Sequence, residues 1–154
     1  MEFLVQDGAI QIVSHKKNIT LDTTNVLLDG MAITCAGEYE KSGFLLYVKQ
    51  WNQKWVYHFR VEGYWIAYIP DFVTEIDSDT INFLGQIDIL VMPAGKSSQK
   101  VIEQIEPKML VTYGEKASEV PALFGENFEP VTKYKVKASD ISVEKTSCVT
   151  LDIS

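Results

Sequence analysis

Between Gly63 and Glu115 the chain runs GYWIAYIPDFVTEIDSDTINFLGQIDILVMPAGKSSQKVIEQIEPKMLVTYGE, and this stretch limits the possible fold more than any other. Tyr64 to Ile69 is an apolar run of strand length. Asp77-Ser78-Asp79 can cap a short helix that turns Ile81 and Leu84 inward and stops at Gly85. Ile87 to Met92 is a compact apolar strand that leaves through Pro93-Ala94-Gly95. Ser97 or Ser98 can open a second helix with Val101, Ile102 and Ile105 on one face; Pro107 ends it, and Met109 to Thr112 is the next strand. Strand, helix, strand, helix, strand demands right-handed crossovers with helices packed on a sheet.

The residues before this unit read as short strands broken by turns. Phe3 to Val5 and Ile10 to Val13 flank Asp7-Gly8, and Val26 to Leu28 and Met31 to Ile33 flank Asp29-Gly30, dipeptides suited to tight hairpins. His15 to Asn18 is polar and turn-like, with Ile19 to Leu21 a further short strand. Ala36 to Gly43 reads as a glycine-flanked loop entering a strand from Phe44 to Val48. Trp55 to Val61 alternates, which puts Trp55, Tyr57, Phe59 and Val61 on one face and Val56, His58 and Arg60 on the other. Glu62-Gly63 then turns the chain back. Beyond the α/β unit, Ala117 to Phe124 can hold only a short helix, and the β-branched segments Thr132 to Val136 and Ser147 to Ile153 should return to the sheet.

A chain of 154 residues is one domain, 1–154, able to bury about 68–70% of its unfolded surface without a metal or disulfide. The net charge of −7 opposes binding to phosphate backbones and offers no cationic face to an anionic membrane, so neither nucleic acid nor membrane is an expected partner. The opening MEFLVQDGAIQ has no signal-peptide pattern and no window has the apolar length of a spanning helix, giving the expectation of a cytoplasmic protein. Cys35 and Cys148 lack metal-type spacing and are expected as two small buried thiols.

Several phrases occur in a telling order: Ala36-Gly37-Glu38-Tyr39-Glu40 before a strand, Tyr68-Ile69-Pro70-Asp71 ending one, Ile87 to Gly95, and Ile105-Glu106-Pro107-Lys108 before the last core strand. Together they resemble the C-terminal portion of the metallo-β-lactamase-like superfamily, in its short bacterial branch of predicted zinc-dependent hydrolases. The resemblance runs from about Ile33 to Thr112, with residues 1–35 as divergent hairpins and 36–154 as the family-like portion. It implies an αββα sandwich with a dinuclear metal site at one edge, where a metal-held hydroxide attacks an ester, amide or phosphodiester. Here that becomes a reduced α+β or α/β sandwich, its N-terminal half mostly hairpins and its helices packed on the sheet.

The family's ligands come chiefly from a His-x-His-x-Asp-His motif, and this chain has only His15 and His58. Asp71 is the one ligand the resemblance carries over, at the position of the bridging aspartate. The histidine expected after the Pro107-Lys108 strand is absent, since that segment reads Thr112-Tyr113-Gly114-Glu115. The expectation is a non-catalytic interaction or oligomerisation module that has lost its metal site and carries no cofactor. Its partner would be a second copy or another protein, met through the aromatic hairpin of Trp55, Tyr57, Phe59, Tyr64 and Trp65, rings that could equally fill the core between sheet layers. The alternative is a hydrolase with a divalent metal on Asp71 and the weaker candidates Glu38, Glu40 and Glu115, an oxygen-rich set that suits Mg²⁺ or Ca²⁺. A third possibility is a small-molecule cleft near Asp71, Ala94-Gly95 and Thr112-Tyr113.

Overall fold

The computed structural model describes residues 1–22, 24–124, 129–141 and 144–153. Two sheets pack face to face. The first holds β1 (Glu2–Gln6), β2 (Ala9–Ser14), β3 (Lys17–Leu21), β4 (Val26–Leu28), β5 (Met31–Ile33) and the late strand β12 (Lys133–Lys135). Its order is β12-β1-β2-β3-β4-β5, antiparallel throughout. The second holds β6 (Gly37–Lys41), β7 (Phe44–Trp51), β8 (Lys54–Val61), β9 (Tyr64–Tyr68), β10 (Ile89–Pro93), β11 (Met109–Tyr113) and β13 (Ser147–Thr150), in the order β13-β11-β10-β9-β8-β7-β6. Strands β9, β10, β11 and β13 run parallel, and β6 to β9 form antiparallel hairpins.

Turn chemistry sets the hairpins. Asp29 and Gly30 both take positive φ (46° and 85°), the pair of left-handed residues that a two-residue turn needs if its twist is to match the strands. His15-Lys16 and Asn52-Gln53 adopt the same conformation without glycine. The strand after His15-Lys16 therefore begins at Lys17, two residues before Ile19. The segment 36–43, expected as a loop, contains β6, and its turn is Ser42-Gly43. Only Tyr39 of that strand packs on the core, so its sequence lacks an apolar alternation.

Helix α1 (Ser78–Leu84) is capped as the sequence indicated: the Asp77 carboxylate accepts from the Thr80 amide at 2.8 Å, and Gly85 ends the helix. Helix α2 (Gln99–Ile105) buries Val101, Ile102 and Ile105 and stops at Glu106 in the left-handed region, just before Pro107. Ser98 precedes α2 but does not cap it; its hydroxyl accepts from the Gly95 amide at 3.1 Å. The segment from Ala117 splits into a 3₁₀ turn, Ala117–Glu119, and a one-turn helix α3 (Pro121–Phe124), with proline at the first helical position where its missing N–H is harmless. The tail divides between the sheets, β12 pairing with β1 and β13 with β11.

Alternation within the strands produces two cores. Between the sheets lie Phe3, Ile12, Ile19 and Leu28 from the first and Leu46, Phe59, Ile66, Tyr68, Val91 and Val111 from the second. The opposite face of the second sheet contributes Val56, Ala67, Ile69, Leu90, Met92, Leu110 and Cys148, covered by α1 and α2 with Leu123 and Phe124 of α3 at the edge. Among the described residues no α-helix covers the outer face of the first sheet. The architecture is thus sheet, sheet, helices, one layer short of the αββα sandwich that the resemblance implied. None of the described helices is long and apolar enough to cross a membrane.

Phe59, fully buried between the sheets, is the point at which the strand pattern is converted into stability. Phe59→Ala should cost about 3–5 kcal/mol through lost transfer energy and the cavity left behind. Urea titration should read this as a lower midpoint with an unchanged slope.

Candidate functional site

The parallel strands β9, β10 and β11 end together, and the segments leaving them, Ile69-Pro70-Asp71, Ala94-Gly95 and Gly114-Glu115, form one end of the sandwich. At this end the space between the sheets is filled by three tyrosines. Tyr57 stacks on Tyr68, its partner across β8 and β9, with centroids 5.6 Å apart and planes at 30°. Tyr113, the last residue of β11, lies beside Tyr68. Burial holds the Tyr68 phenol up at about 12 and raises those of Tyr57 and Tyr113, with the Asp71 carboxylate adding to the shift at Tyr68 and Tyr113. Asp22, at the end of the first sheet's third strand, acts on Tyr68 from the other side. The hydroxyls of Tyr68 and Tyr113 approach without a well-formed bond, so that of Tyr113 is buried with no partner in proper geometry.

The loop after β10 is closed by its own contacts. The Ala94 amide donates to Thr112 Oγ1 at 3.0 Å and the Lys96 amide to Glu119 Oε1 at 3.3 Å. A Cβ on Gly95 would stand 2.8 Å from Lys116 Cβ, so only glycine fits there. Phe72, 37% exposed, follows Asp71 with the Lys116 ammonium 4.8 Å from its ring centre.

The acidic candidates do not gather as a group of three among the described residues. Asp71 is exposed beyond β9; Glu38 and Glu40 are exposed on β6, three strands away across the sheet; Glu115 is exposed past β11. Among the described residues no three His, Cys, Asp or Glu side chains gather closely enough to hold a metal ion. Zinc is held by imidazole, thiolate and carboxylate, and phenols kept protonated by burial do not replace them. The described residues do not fit the family's metal centre.

The aromatic hairpin divides by face. Tyr57 and Phe59 lie in the inter-sheet core with Trp55 packed at its margin, so alternation takes Tyr57 and Phe59 away from any partner. Trp65 and the half-buried Tyr64 remain nearer solvent. Trp65 belongs to a second cluster on the outer face of the seven-stranded sheet: His58 lies 4.5 Å from it, Tyr47 6.4 Å, and the Arg60 guanidinium 5.6 Å over its ring. Phe83 of α1 meets His58 edge-on at 5.9 Å. Beyond this cluster the helices stop, and Leu45, Tyr47 and Lys49 of β7 and Glu38 and Glu40 of β6 belong to neither core. Burial pushes His58 down to about 4, and its Nε2 has no partner. Tyr47 and His58 went unnoticed as surface candidates because neither stands out until β7 and β8 are paired.

Cys35 is exposed, not buried, with Sγ 3.2 Å from the Tyr39 hydroxyl; Cys148 is buried, and neither is in a disulfide. A cavity of about 700 Å³ lies one strand along from Asp71, Ala94-Gly95 and Thr112-Tyr113, where β11 and β13 end; its lining includes Gly114, Glu115, Thr150 and Ile153.

The family model described as "Beta-lactamase superfamily domain" matches residues 7–113. The match begins inside the first hairpin, well ahead of Ile33, and ends at Tyr113. A solved structure from Thermotoga maritima, described as that of a candidate Zn-dependent hydrolase of the metallo-beta-lactamase superfamily, is similar with a TM-score of 0.77. The likeness covers 98% of this chain and 99% of that one at 15% identity, and it is a likeness of fold. No curated protein matches the sequence.

Two outcomes follow from the buried polar groups. Tyr113→Phe removes a hydroxyl that has no proper partner and should raise stability by about 1 kcal/mol in a urea titration. His58 titrates near 6.5 when unfolded and about 4 when folded, so the unfolded state binds more protons between those values. Its contribution is intact above the upper value and lost as pH falls towards the lower. Relative to His58→Phe, the wild type should lose about 1–2 kcal/mol over that window, less than the full shift because the ring is only partly buried.

Proposed function

Given that this chain belongs to the beta-lactamase superfamily, we propose that it keeps the superfamily's sandwich without its metal chemistry and works as a non-catalytic interaction module. The observation that carries this reading is the tyrosine filling at the ends of β9 and β11. Asp71 stands where the resemblance sets the bridging carboxylate, but its neighbours are the phenols of Tyr68 and Tyr113. An attacking hydroxide needs an open position between cations, and the phenol rings beside Asp71 supply no ligand for one. A hydrolase of the kind named for the Thermotoga protein would need imidazole and carboxylate donors around Asp71, and among the described residues donors of that kind are not gathered there.

The surface that supports an interaction role is the uncovered half of the seven-stranded sheet. Tyr47, Trp65 and Arg60 are of the residue types that concentrate binding energy at interfaces; the two rings are half-buried, Arg60 lies over Trp65, and Glu38 stands opposite Tyr47 on the edge strand. The occupant this surface suits best is a second copy of the chain, meeting face to face so that both surfaces are dried together.

Sedimentation velocity over a concentration series up to several hundred micromolar tests the association, and elemental analysis of protein purified without chelator tests the chemistry. Reversible self-association that Tyr47→Glu abolishes, with no stoichiometric metal in the wild type or in Asp71→Ala, is the expected result. A wild type that stays monomeric throughout removes self-association. Stoichiometric metal in the wild type, lost in Asp71→Ala, overturns the non-catalytic reading.

A further inference from the structure

The cavity at the ends of β11 and β13 is separate from the tyrosine cluster. Alternation along β13 puts Thr150 on the same face as Cys148, which packs in the helix-side core, whereas Tyr113 points into the inter-sheet core. The cavity lies at the end of the sheet, taking Thr150 from its helix-side face and Leu151 and Ile153 from its inter-sheet face, with Gly114-Glu115 alongside.

Much of its lining is small: Gly114, Ala117, Ser118 and Ala122 belong to it, and none has a side chain large enough to fill about 700 Å³. The β13 wall is tied on both sides by main-chain bonds: the Leu151 amide donates to Thr112 O at 2.8 Å, and the Val131 amide to Thr150 O at 2.9 Å. A cavity of this size, mostly apolar and bounded in part by hydrogen-bonded backbone at the carboxyl ends of parallel strands, has the volume and place of a small-molecule site.

A polar group there is left over. Thr112 and Thr150 are register partners on neighbouring strands. The Thr112 hydroxyl accepts from the Ala94 amide, while the Thr150 hydroxyl is buried with no partner, on a residue only 5% exposed that lines the cavity. An unmatched buried hydroxyl costs stability unless something satisfies it. At the mouth stands the exposed Glu115 carboxylate, with Asp152 also in the lining, on a chain of net charge −7. That field works against an anion.

We propose that this cavity binds a small molecule with an apolar body and a cationic or neutral hydrogen-bonding head, of the class of an aliphatic or aryl amine. The apolar body lies against Ala117, Ala122 and Ile153, and the head lies between Thr150 and Glu115.

The neutral fluorophore N-phenyl-1-naphthylamine is the probe, with decylamine and decanoate as competitors. Saturable binding at one site is expected, with decylamine displacing the probe about tenfold more effectively than decanoate. Ala122→Trp, at an exposed position on the rim, should weaken probe binding about tenfold while leaving the circular dichroism spectrum unchanged. Glu115→Lys should reverse the order of the competitors while the probe still binds. No saturable binding to the wild type, or binding that Ala122→Trp leaves unchanged, overturns the site. Equal competition by decanoate and decylamine overturns the ligand class.

Discussion

Everything in this molecule depends on two sheets burying one face each against the other. Phe3, Ile12, Ile19 and Leu28 on one side and Leu46, Phe59, Ile66 and Val91 on the other are essentially without solvent contact. No strand supplies more than three such residues, so no strand or hairpin is stable alone and the layer forms as a whole. Removing apolar surface from water supplies the driving force, and the tight hairpin turns keep the entropy of ordering low by bringing neighbours in sequence together. The second core, beneath α1 and α2, is added to a sheet that the first core has already shaped.

The same demand for filled volume explains the end where chemistry would be looked for. A sandwich can be wet and open at one end if ions and their ligands occupy it, or dry and closed if large side chains do. Between the sheets Tyr57, Tyr68 and Tyr113 fill this end with large side chains, and the unmatched Tyr113 hydroxyl is the cost of that filling. Rings bring their own polar tips, and those tips are harder to satisfy than a methyl group. Asp71 remains at the rim, facing phenols that its charge helps keep protonated.

How much of this could be read from the sequence depends on whether a signal was local. The β8–β9 hairpin was legible because Trp55 to Val61 alternates and Glu62-Gly63 marks the turn; α1 was legible because Asp77 and Gly85 bracket it. Strand β6 was not, since an edge strand with one half-buried ring and glutamates on its other face looks like a loop. The turn at His15-Lys16 was displaced because it has no glycine. At the candidate site, Asp71 was found at the end of its strand, while the segment holding Tyr113 was noticed for the histidine it lacks and not for the phenol it has. Thr112 and Thr150 make the limit plain: the same residue in adjacent register, one bonded and one not, a distinction set by loops that only the folded chain brings together.

Strand β6 ends the seven-stranded sheet, and its hairpin geometry settles which of its backbone groups are free. Lys41 and Phe44 close a two-residue turn, so Lys41, Tyr39 and Gly37 bond inward to β7, and the N–H and C=O groups of Glu38 and Glu40 face outward. If two copies met antiparallel along this edge, centred on Tyr39, each Glu38 would stand opposite the other's Glu40, carboxylate against carboxylate. The only rail on which that side of the sheet could be lengthened thus repels its own duplicate. Filament growth off β6 in that register is thereby disfavoured.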